Sequence, residues 1–165
     1  MMTTKELFVK TLKSELPIFA KVLKAVPKGQ EDFKPHEKAR TAKSIMLQLM
    51  TQPVFISKIV NTGLIDFSEP YADPEQDMDG IVARMEENFA RLQDDLAALS
   101  DEEWENGAFK MAWPGGSMET KKYDMAWGFL FDAIHHRGQL TTYIRLMGGK
   151  VPGIYGGSAD EPMGG

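Results

Sequence analysis

Asp132 and His136 stand four residues apart in the string MAWGFLFDAIHHRGQLTTYIRLMG, residues 125–148. On an α-helix that spacing puts both on one face, a turn apart. The residues before and between them are mostly apolar: Trp127, Phe129, Leu130, Phe131 and Ile134 point all round a helical wheel. A helix of that kind is expected inside protein rather than on its surface. A carboxylate in such a setting is costly unless it is paired, hydrogen-bonded or bound to a metal. The pair is therefore a candidate metal site or acid–base couple, or else a carboxylate–imidazole contact that fixes helix packing. Two of the chain's three histidines, His135 and His136, lie in this turn, with Arg137 and Gln139 beside them. His135 is rotated about 100° from His136 on the wheel, so the two are not expected to share a pocket. Arg137 suits either an ion pair with an acidic residue of a neighbouring helix or tail, or recognition of an anion.

The rest of the chain must position this turn. The first helix is expected from Thr3 or Thr4 to about Val26, with Phe8, Leu12, Leu16, Phe19 and Leu23 at steps of three or four. Pro17 should bend or split it. A second helix is expected from between Lys38 and Thr41 to about Val60, carrying Gln48 among its apolar residues and a second internal proline, Pro53. Asp73-Pro74 with Gln76 reads as the cap of a third helix, whose seam runs Ile81, Met85, Phe89, Leu92, Leu96, Leu99. Ser100 to Glu103 repeats the capping pattern for a short turn through Trp104. Residues 106–117 read as a loop turning at Trp113-Pro114-Gly115-Gly116. A last helix runs from about Glu119 or Lys121 to Met147, and an extended tail follows Lys150. With no convincing strand, the pattern predicts one all-α domain over residues 1–165, a four-helix bundle with an extra short helix and the tail.

Composition narrows the function classes. The chain has 165 residues, 42% of them hydrophobic and 26% charged, as in ordinary globular domains. The net charge of -5 argues against a general binder of nucleic acid or anionic membrane. No cysteine is present, so disulfides and thiolate chemistry of the chain's own are excluded, and a cytoplasmic setting is compatible. No apolar run approaches the ~20 residues of a membrane span, and the first ten residues do not read as a signal peptide. A final helix apolar all round needs cover from the tail, the 106–117 loop or a second subunit, and on that ground a homodimer is expected.

The segment FDAIHHRGQLTTYIRLMGGKVPGIYGGSADEP closely resembles the C-terminal signature of the DinB/YfiT-like proteins, through HHRGQL, the following YIR-x-x-G and the VP-x-x-YG tail. KPHEKART resembles that family's approach to its second helix. The resemblance implies a four-helix bundle, often dimeric, with a metal held in the bundle core by three histidines, one on the second helix and two spaced four apart on the last. Here His136 matches one of them, Asp132 stands at the position four residues earlier, and Gln48 falls where the third would be. The implied ligand set is thus Gln48, Asp132 and His136, for zinc, nickel, iron or manganese, with His135, Arg137, Gln139 and Tyr155 around the pocket. Gln is a poor ligand for transition metals, which makes the set degenerate. The resemblance implies a divalent-metal-dependent enzyme, such as a transferase acting on low-molecular-weight thiols or a hydrolase-like activity. The alternative is a metal-free binder of a small molecule, or a dimeric protein associated with the stress response.

Overall fold

A computed structural model describes residues 1–68 and 77–163. Five helices and a small sheet are present among them: α1 (Thr4–Lys24), α2 (Ala42–Thr62), β1 (Leu64–Asp66), α3 (Met78–Ala98), α4 (Asp101–Asn106), β2 (Ala108–Trp113), β3 (Gly116–Lys121) and α5 (Lys122–Leu146). The four long helices pack in the cyclic order α1, α3, α2, α5, so that each touches two neighbours and α2 makes its broadest contacts with α3 and α5. No helix is long and apolar enough to cross a membrane among the described residues.

The helix starts follow local chemistry. Thr3 and Glu6 form a reciprocal capping box at α1. Thr41 accepts from Ser44 N at the start of α2, and Ser100 accepts from Glu103 N at the start of α4. The start expected at Asp73-Pro74-Gln76 lies outside the described residues, and α3 is capped by Asp77, which accepts from Gly80 N. Pro17 and Pro53 split neither helix; α1 and α2 run on past them. Gly63 ends α2 in the left-handed region, at φ +65°.

The expectation of no strand is corrected. Residues 106–117 are not a loop. Most of them form the hairpin β2–β3, with Ala108 paired to Lys121 and Trp113 to Gly116. Pro114 and Gly115, the latter at φ +91°, make the two-residue turn, since proline sets the first torsion and glycine tolerates the second. β1 pairs with β2 in parallel, Leu64 opposite Lys110. The alternation of β2 buries Phe109 and turns Met111 inward, against Ile59, Ile65, Phe55, Met125 and Phe129. This second apolar cluster closes one flank of α5.

The last helix is also not apolar all round. Its buried residues, Lys122, Ala126, Leu130, Ala133, Arg137, Leu140, Tyr143 and Ile144, form one stripe, and Phe131 is 60% exposed. Two of those buried positions carry charge, which hides the amphipathic pattern from a reading by residue type.

Candidate functional site

The face of α5 next to that stripe meets α2. There the structure brings Gln48, Asp132, His136 and Gln139 into one network. Gln48 Nε2 donates to Asp132 Oδ2 at 2.8 Å. Gln52, one turn further along α2, donates from its Nε2 to the same oxygen. The other carboxylate oxygen, Oδ1, lies 3.4 Å from His136 Nε2. His136 Nδ1 lies 3.0 Å from Gln139 Oε1, and Gln139 Nε2 is 3.5 Å from Tyr143 Oη. Tyr143 donates to Arg40 O at 3.2 Å, and the Arg40 guanidinium donates to Gln48 Oε1, which closes the circuit.

Asp132 is not buried as its apolar neighbours suggested. Its side chain is 45% exposed, because the turn carrying Phe131 and Asp132 faces away from the helical core. It sits on the rim of a chamber of about 440 Å³ between α2 and α5. Gln48, Gln52 and Asp132 supply the polar side; Phe55, Phe67, Met125 and Phe129 supply the walls, and Gly128 leaves one part of the α5 face bare. The sheet positions one wall: Phe67 N donates to Ala112 O at 2.8 Å, extending the β1 ladder and setting the Phe67 ring 5.7 Å from Phe55. Phe129 lies at 5.7 Å from the Phe55 ring. Gln52 was not singled out from the sequence, although its spacing of four from Gln48 carries the signal. It is 4% exposed, and its Oε1 is buried with no hydrogen-bond partner among the described residues. Its amide orientation is fixed by the carboxylate, which accepts only from the nitrogen end.

The other site candidates lie elsewhere. His135 is exposed and meets the edge of the His136 ring, at 5.1 Å between centroids. Arg137 points into the core, 1% exposed, where it pairs with Glu15 of α1 and donates to Tyr155 Oη at 2.6 Å. Tyr155 in turn donates to both oxygens of Glu15, at 2.9 and 3.0 Å. The guanidinium also lies over Phe19, 4.6 Å from the ring centroid. Burial of the hydroxyl raises the Tyr155 pKa above its ordinary 10.0 and outweighs the opposing pull of Arg137, which keeps the phenol a donor. Glu15, like Gln52, was not read from the sequence; a glutamate among Leu12, Leu16 and Phe19 is the sign it offered. No group of three His, Cys, Asp or Glu side chains suited to a metal ion converges among the described residues.

No curated protein matches this chain. Among solved structures, the crystal structure of a DinB-like protein, YjoA, from Bacillus subtilis superposes with a TM-score of 0.70 at 16% identity, covering 89% of this chain and 96% of that one. At that identity the likeness speaks for the fold alone. The family model described as the DinB family matches residues 1–163. With nearly its whole length matched and the same fold found in a DinB-like protein, the chain belongs to the DinB family.

Proposed function

We propose that this DinB-family domain, a four-helix bundle elaborated by a small sheet, is a metal-free binder of a small molecule, and that the chamber between α2 and α5 is its binding site. The observation that carries the reading is the state of Asp132. Both glutamine amides turn their N–H groups onto its Oδ2, so positive dipole ends occupy the place where a cation would need oxygen donors. The amide oxygen of the implied ligand Gln48, Oε1, accepts from Arg40, a fixed cation. This donor set does not fit a resident transition-metal ion, which asks for imidazole, carboxylate or thiolate lone pairs. What remains is a chamber of about 440 Å³, mostly apolar with a few convergent polar groups, within the range of small-molecule sites.

A second reading, a divalent-metal-dependent enzyme, rests on one observation. With Gln139 Oε1 accepting from His136 Nδ1, the Nε2 lone pair would face Asp132 Oδ1. Elemental analysis of untagged protein purified without chelator separates the two. We expect metal far below one equivalent and no rise in Tm on adding zinc, nickel, iron or manganese, while a ligand screen by thermal shift gives binders that Gly128→Leu abolishes. Near-stoichiometric metal that is lost in His136→Ala would overturn the metal-free reading and direct attention to thiol-transfer assays. We further propose that the chain is a homodimer, on the support of Phe131, 60% exposed and packed at 5.4 Å on Trp127.

A further inference from the structure

Three features of the chamber bear on what it takes. First, Asp132 is the one charged side chain lining it among the described residues, and it gives the chamber a negative charge. The cations Arg40 and Lys43 lie beyond Gln48, in an adjoining groove of about 550 Å³. Second, Asp132 Oδ2 is held by the amides of Gln48 and Gln52, while its Oδ1 has His136 Nε2 at 3.4 Å, so a carboxylate whose side chain is 45% exposed keeps an oxygen that can accept from a ligand. Third, the rings of Phe55, Phe67 and Phe129 surround the same space, and aromatic faces attract organic cations. A carboxylate and aromatic walls together ask for a donor with positive charge and an apolar body.

We propose that the chamber recognises an organic amine, with its ammonium group donating to Asp132 and its apolar or aromatic body resting against Phe55, Phe67 and Phe129. This deepens the small-molecule reading above and rests on it. An anionic ligand is disfavoured, because it would meet the carboxylate. A neutral alcohol keeps the shape and one donor and loses the charge.

Gly128 offers a clean block. A Cβ added there meets nothing within 4 Å, and glycine lines the chamber from mid-helix, so leucine fills the space and suits the helix better. The test is calorimetric titration of phenethylamine, 2-phenylethanol and phenylacetate into the full chain, the Gly128→Leu chain and the Asp132→Asn chain, each first shown to be folded by circular dichroism. Phenethylamine should bind about tenfold or more tightly than the alcohol, since its hydrogen bonds are charge-assisted. Phenylacetate should not bind, Gly128→Leu should abolish binding, and Asp132→Asn should erase the advantage of the amine over the alcohol. Alcohol or acid binding as well as the amine, with Gly128→Leu still blocking, would overturn the amine assignment and leave the chamber a binding site. Binding of the amine undiminished in Gly128→Leu would overturn the location. Failure of all three probes would overturn the amine proposal, and the broader ligand screen then decides whether the small-molecule reading falls with it.

Discussion

At the scale of single residues the core holds a buried ion pair, Glu15 with Arg137, which the more exposed Tyr155 joins through its hydroxyl. The side chains of Arg137 and Glu15 are 2% and 8% exposed, so each charge depends on the other for its place in the interior. Removing one partner leaves the other buried and uncompensated. Glu15→Ala should therefore lower stability by about 3–5 kcal/mol in urea unfolding. Pairing Glu15→Leu with Arg137→Met should recover most of that loss, and a double replacement as damaging as the single one would deny that the charges are coupled. The residue level was legible in the sequence only in part. The spacing of Asp132 and His136, and the place of Gln48, pointed to residues that do meet. The burial of Asp132 was misjudged, since apolar neighbours on a helix say nothing about which of its faces the partners leave open. Gln52 and Glu15 went unread because their meaning comes from a partner on another helix: Asp132 lies 80 positions from Gln52, and Arg137 lies 122 from Glu15.

At the scale of elements, starts and stops were the most legible part, because a cap is written within four residues of chain. Thr3, Thr41, Ser100 and Gly63 all act where their chemistry said they could. The hairpin was not legible. Its strands are six residues each, and β3, GSMETK, has no apolar alternation to betray it. Its pairing partner β1 is supplied by a segment that reads as the loop after α2. Gly63 joins these pieces, and a Cβ there would stand 2.8 Å from Ala108 O while the backbone holds φ +65°. Gly63→Ala should cost about 2 kcal/mol, the left-handed penalty with a close contact added, and should loosen the sheet more than the four long helices. Amide exchange of Lys110, which donates to Gly63 O, reads that directly. The tail gives a pH prediction. Asp160 accepts from Arg145 and from Val151 N, and these hold its pKa below the ordinary 3.8. Glu161, through Lys21 and Gly153 N, is held below 4.5. Depressed carboxylate values contribute stability that is complete above the unfolded-state values and is lost as pH falls through the lower folded ones. Protection of the Val151 and Gly153 amides should stay constant from neutral pH to about 5 and then disappear on further acidification, well before the helices unfold. Protection that instead grows as pH falls would contradict the assigned contacts.

At the scale of the whole molecule the open question is what covers the outer side of α5. The expectation of a dimer began from a helix thought to be apolar all round. The structure reduces that argument to a smaller one. The hairpin covers Met125 and Phe129, and α1 covers Trp127 through Phe8, whose ring stands 5.1 Å from it edge-on. Phe131 is left, 60% exposed on the outer face and stacked on Trp127 at 5.4 Å. A single exposed ring is ordinary on a monomer. A stable dimer needs roughly 800 Å² per partner, so Phe131 can serve as the central anchor of an interface but cannot supply its area alone. That sets a definite expectation. Light scattering after gel filtration should give roughly twice 18.5 kDa, and Phe131→Glu should return the mass to that of one chain without loss of helical signal, because the side chain projects into solvent in the isolated subunit. If the unaltered chain already runs at 18.5 kDa at micromolar concentration, the outer face of α5 is plain surface, and the chamber between α2 and α5 must then work within one subunit. If Phe131→Glu leaves the dimer intact, the interface lies on another face of the molecule.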